Sequence, residues 1–135
     1  MLKYGVAYLA SGVAFAAIDA VWLTTMTSRL YKPVLGSMLA AKPDMGAAVA
    51  FYLIMIAGIV FFAVEPALRG GGWGRALLNG AALGLVAYAT YDLTNQATLS
   101  AWSMRLTLID LAWGTFLTAT AATAGYFAAR WFEAR

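Results

Sequence analysis

Residues 4–24, YGVAYLASGVAFAAIDAVWLT, hold a single charge, Asp19. At 1.5 Å per residue a helix of this length spans roughly 30 Å, the thickness of a bilayer's hydrocarbon core. Three more runs of this kind follow, at 47–65, 76–97 and 107–129. The breaks between them carry helix-stopping residues: Pro33 and Lys42-Pro43-Asp44, then Glu65-Pro66 and Arg69-Gly70-Gly71-Gly72, then Ser100 to Arg105. The chain therefore reads as an all-α integral membrane protein with four transmembrane helices, forming one small domain over residues 1–135.

Composition agrees, with 63% of residues hydrophobic and only 11% charged, against about half and a quarter in soluble domains; mean hydropathy is +0.76. There is no Cys and no His. That excludes disulfides, thiol nucleophiles and iron–sulfur clusters, and also imidazole bases, histidine-ligated haem and the usual zinc sets. Lys3, Lys32 and Lys42 all lie outside the apolar runs, so an intramembrane Schiff base is excluded too. No cofactor and no metal site is expected. The net charge of +3 is scattered and forms no basic run, which gives no footing for nucleic acid.

With an even number of spans both termini share one side. That side carries Lys3, Arg69, Arg75, Arg130 and Arg135, against Arg29, Lys32, Lys42 and Arg105 on the other. The excess of one base leans toward cytoplasmic termini. The first run continues to Leu23, past the small-residue stretch Ala14-Phe15-Ala16, and is longer than the core of a cleaved signal. In the connection after it, Val34, Leu35, Met38 and Leu39 recur at helical spacing, which predicts a short interfacial helix over 33–42, placed to act as a lid.

An acid inside a span costs about 2.5–3.5 kcal/mol at the helix centre. Three stand there: Asp19, Asp92 and Asp110. Asp19 and Asp92 lie about 8 Å beyond the midpoints of their spans, and Asp110 about 11 Å before the midpoint of its own. The first and third helices run parallel and the fourth runs against them, so all three carboxyls arrive near one depth. Gly84, Tyr88, Asp92 and Asn95 share one face of the third helix, as Ser11, Phe15, Asp19 and Trp22 share one face of the first. There is an internal echo, Ile18-Asp19-x-x-Trp22 against Ile109-Asp110-x-x-Trp113, which sets a Trp one turn from each of two acids. The expected polar site is thus Asp19, Trp22, Tyr88, Asp92, Asn95, Asp110 and Trp113. Three carboxyls in low dielectric do not all remain ionised, so the group can exchange a proton, donate a hydrogen bond or hold a cation.

Each feature also has a structural reading. Thr107 to Asp110 resembles a capping box at a helix start. Asp19 and Asp92 could each be neutralised by protonation, or hold Arg29, Arg105 or Asn95 in purely architectural hydrogen bonds. Gly80-x-x-x-Gly84 is the spacing of a close helix contact, and Trp73, Trp102 and Trp131 fall where interfacial belt aromatics fall.

The run from Ala87 to Leu99, with Tyr91-Asp92-Leu93-Thr94-Asn95 at its centre, resembles the bacterial membrane proteins of the DUF2177 family. So do Asp19-x-x-Trp22-Leu23, Asp110-x-x-Trp113-Gly114, Phe51-Tyr52 and Pro66-Ala67-Leu68. The resemblance covers nearly the whole chain. It implies four spans in the inner membrane and a cluster of Asp19, Trp22, Asp92, Asn95, Asp110 and Trp113, but no reaction. One departure is Ser103 after Trp102, where the family usually has proline.

Three function classes stay open. The first is binding or transport of a small solute, a proton or a lipid headgroup, which in so short a chain calls for a homodimer packed around Gly80 and Gly84. The second is acid–base catalysis on a membrane lipid. The third is an accessory role beside a larger membrane partner. In every case the surrounding partner is the lipid bilayer.

Overall fold

A computed structural model describes all 135 residues. The chain is all-α and has no strands. Helix α1 spans Leu2–Met26 and passes through a π-helical turn, Thr27–Tyr31, into the short α2, Lys32–Leu35. Helix α3 spans Met45–Ile59 and continues through π-helical turns as far as Gly71. Helix α4 spans Gly72–Thr98 and α5 spans Met104–Glu133.

Two stretches, Leu2–Met38 and Met45–Thr98, are long and apolar enough to cross a membrane. The second has 54 residues, about 80 Å if straight, far more than one crossing needs. It reverses at Gly70 and Gly72, whose φ values of 122° and 69° lie where only glycine is unstrained. The two arms then run side by side, and Asn79 Nδ2 donates to the Phe62 carbonyl oxygen at 3.0 Å. Helix α5 is less apolar because it carries five threonines. The hydroxyls of Thr115, Thr120 and Thr123 donate to the carbonyl four residues back, so those side chains need no external partner.

Helix α5 packs against both α1 and α4. Its inward face is made of small residues, including Gly114, Ala121, Ala122, Gly125 and Ala129, which let the other helices approach closely. The outward faces of the bundle are apolar: Leu9, Val13, Ile54, Phe61 and Leu78 each expose 68–73% of their surface. Water would penalise such a surface; lipid does not. Lys3 Nζ and Glu133 Oε1, 2.8 Å apart, tie the two ends of the chain together at one end of the bundle.

Several expectations are corrected here. The helix predicted over 33–42 is not formed: α2 ends at Leu35, Gly36 takes φ 53°, a single 3-10 turn follows at Gly36–Met38, and the chain is then irregular up to Asp44. Glycine at 36 and Pro43 ahead both oppose a continuous helix. Gly80 and Gly84 are fully used inside the chain. A Cβ at Gly80 would stand 2.8 Å from Ala122 Cβ, and one at Gly84 2.3 Å from the Gly114 carbonyl oxygen. They are the α4–α5 contact and are not free to form a homodimer interface. Trp102 is buried and donates from Nε1 to Thr107 Oγ1 at 3.0 Å, so it is no belt residue, whereas Trp73 and Trp131 remain exposed.

Candidate functional site

The buried residues of α1, Ala7, Ser11, Phe15 and Asp19, recur every fourth position, and those of α4 include Ala76, Gly80, Gly84 and Asp92 on the same spacing. Each helix thus turns one stripe inward and brings its carboxyl to the same end of the bundle. Helix α5 supplies Asp110 from its second turn. The capping-box reading of that residue fails: Ser103 is the N-cap, its Oγ accepting from Leu106 N–H at 3.2 Å, while Thr107 is engaged by Trp102. Ser103 therefore caps α5 four residues ahead of Thr107, and Asp110 is left without a capping role.

Asp19 is buried and fully supplied with donors. Tyr52 donates its hydroxyl to Oδ2, and Trp113 Nε1 donates to Oδ1 at 3.2 Å. Asp110 accepts from the Tyr31 hydroxyl at 2.5 Å, and that oxygen in turn accepts from Trp22 Nε1 at 3.0 Å. The indoles of Trp22 and Trp113 are stacked with centroids 4.2 Å apart and planes 8° from parallel. Asp92 has no exposed surface and no donor for either oxygen. The Asp110 carboxyl is among its close neighbours. The three acids do not share one focus: Trp113, the partner of Asp19, is one turn along α5 from Asp110. They form no metal-binding set. Neither Arg29 nor Arg105 neutralises them, the only ion pairs being Lys3–Glu133 and Arg69–Glu65.

Beside this network lies a half-open cavity of about 760 Å³, bordered by Asp19, Trp22, Tyr31, Tyr88, Asp110 and Trp113 and, along the connection after α1, by Leu35, Leu39, Ala40, Ala41 and Pro43. The connection after α1 therefore lines one side of the cavity without being a helix. Tyr88 reaches the cavity because residue 114 is glycine: a Cβ there would stand 2.1 Å from the Tyr88 ring. Asn95 does not border the cavity. It sits a turn beyond Asp92, close to where α4 gives way to the 99–103 connection. Sequence reasoning missed Tyr31 and Tyr52 as carboxylate partners. The only signal was a phenol at the edge of an apolar run, with Tyr52 also inside a family motif.

A family model described as a predicted membrane protein, DUF2177, matches residues 4–127. The chain belongs to the DUF2177 family. Neither the curated proteins nor the solved structures contain a match to it. Membership agrees with the apolar exterior and places the protein in a membrane. It assigns no activity, and the motifs that carry the resemblance, Asp19-x-x-Trp22 and Asp110-x-x-Trp113-Gly114, are also the ones that build the stacked indoles and seat Tyr88.

Proposed function

We propose that this DUF2177 protein crosses the bacterial inner membrane four times as one domain, with both termini in the cytoplasm. Its work is to bind a small molecule, a solute or a lipid headgroup, in the cavity beside residues 35–43, with proton exchange at the Asp92–Asp110 pair. The observation that carries this reading is a cavity of about 760 Å³, inside the roughly 300–1,000 Å³ usual for small-molecule sites, that meets two buried carboxyls without a cationic partner. Buried polar groups that the fold does not need are expensive in lipid, and their retention points to a ligand or a proton. Transport, if it occurs, follows from such a site being open alternately to each side.

The test is native mass spectrometry of the protein extracted in mild detergent, beside an Ala40→Trp variant that fills the cavity from the connection after α1. The expected result is a small-molecule adduct on the wild type that is lost from an equally folded Ala40→Trp variant. Absence of any adduct on the wild type, or the same adducts on both, overturns the reading.

A further inference from the structure

Given the binding role proposed for the cavity, on which the choice of ligand rests, the chemistry of its wall selects among ligand classes. Asp19 accepts from Tyr52 and Trp113, and Asp110 accepts from Tyr31; all three donors are neutral groups with π-faces. Nothing in the fold offsets the charge on these acids. Lys32 is the one base on the cavity border, and it is exposed and makes no ion pair. An anion would meet these carboxylates unscreened. A neutral apolar molecule would leave them uncompensated. A compact cation with an apolar body satisfies both halves of the lining: its charge faces Asp19 and Asp110, and its methyl or methylene groups lie against Trp22, Tyr31, Tyr88 and Trp113.

We infer that the cavity binds an organic ammonium cation of amphiphilic character, held between the carboxylates of Asp19 and Asp110 and the aromatic rings beside them. Two sources share that chemistry, a free alkyl or aryl ammonium and the amine headgroup of a lipid. Because the stacked Trp22–Trp113 pair borders the cavity, tryptophan emission reports occupancy.

The experiment titrates the full chain in an uncharged maltoside detergent with three probes of similar shape: benzyltrimethylammonium, its neutral carbon isostere neopentylbenzene, and benzenesulfonate. The inference requires saturable quenching by the cation, with the neutral isostere and the anion weaker by about tenfold or more, since a desolvated cation is attracted by the aromatic faces before any carboxylate is counted. The quenching must also weaken in Asp19→Asn and disappear in Trp22→Phe/Trp113→Phe. The three-probe comparison on the wild type stands even where a variant fails to fold. Short-chain phosphatidylethanolamine that displaces the cation, when phosphatidylglycerol of equal length does not, identifies the lipid as the source; no displacement identifies the free ammonium, and either outcome supports the inference. Equal binding of cation and isostere overturns the ammonium assignment and leaves the small-molecule site standing. No binding by any probe, together with an adduct in native mass spectrometry, also overturns only the ammonium assignment; no binding and no adduct overturn both.

Discussion

Replacing Gly84 by alanine tests the contact that holds α4 on α5 and so brings Asp92 to Asp110. An added Cβ would stand 2.3 Å from the Gly114 carbonyl oxygen and 2.8 Å from Thr118 Cβ, about 1 Å short of ordinary contact with the first. The first obstacle is backbone, which cannot swing aside, so the helices must part. A gap of 0.5–1 Å forfeits roughly a quarter to a half of each dispersion contact along the seam, and overpacking of this kind costs about 1–3 kcal/mol, occasionally more. Better helix propensity returns about 1 kcal/mol. The expected net loss is about 1 kcal/mol, and about 2 at the upper end of that range, read as a shifted midpoint when far-UV circular dichroism follows unfolding in mixed micelles of rising dodecyl sulfate. Gly74→Ala, on the same helix with nothing within 4 Å of the new Cβ, is the control and should stabilise by about 0.4–1 kcal/mol. A Gly84→Ala protein within about 0.5 kcal/mol of wild type would refute the packing argument and, with it, the mutual approach of the two carboxyls.

Because the chain contains no cysteine, single replacements at Ser37, Ser100, Gly74 and Ala134 can be labelled in intact cells without background; Ser37→Cys and Ser100→Cys should label from outside and the other two only after lysis, and any split of either pair contradicts four spans. Tyr52→Phe keeps the edge contact with Phe15 at 5.5 Å and removes only the hydroxyl on Asp19; leaving that oxygen without its donor should cost about 1–3 kcal/mol in the same unfolding assay. The Glu133 carboxyl is held below its usual range by its hydrogen bond from Lys3, and the Lys3 ammonium above its own by the same bond. The Glu133 contribution is therefore lost as pH falls through its lowered folded value, and the Lys3 contribution as pH rises through its raised one. Lys3→Met should lower the melting temperature only slightly near neutrality, as exposed pairs do, and not at all in strong acid.

The four helical arms and the arrival of the three acids at one end of the bundle were legible because both depend on length and on the period of apolar residues. The stripes through Asp19 and Asp92 were legible for the same reason. What was not legible depended on competition or on distance. Thr107 and Ser103 are both fit to start α5, and the choice is made by Trp102, which engages the Thr107 hydroxyl. The segment 33–42 has helical spacing, but Gly36 with φ 53° and Pro43 stop it. Tyr52 and Asp19 are 33 positions apart, and Tyr31 and Asp110 are 79; no local pattern announces such pairs. Asn95 shares the face of Tyr88 and Asp92, yet a helical face extends past the cavity it lines, and the spacing of residues does not say where the cavity stops.

The echo of Ile18-Asp19-x-x-Trp22 in Ile109-Asp110-x-x-Trp113 takes its meaning from the antiparallel packing of α1 and α5. Two equal motifs on antiparallel helices face each other across a local two-fold arrangement, so the indoles stack and each N–H points toward the acid of the other helix. Trp113 reaches Asp19 directly, while Trp22 reaches Asp110 through the Tyr31 hydroxyl. The symmetry ends at the next neighbours. Asp19 gains Tyr52, a donor, and Asp110 gains Asp92, a second carboxyl with no donor of its own. Equal local sequence thus yields one acid whose two oxygens both accept hydrogen bonds and one set beside a second carboxyl. A cavity that meets both presents a doubly hydrogen-bonded carboxyl beside one that has a second carboxyl for a neighbour, and a cation entering it would face the first and compete with any proton on the second.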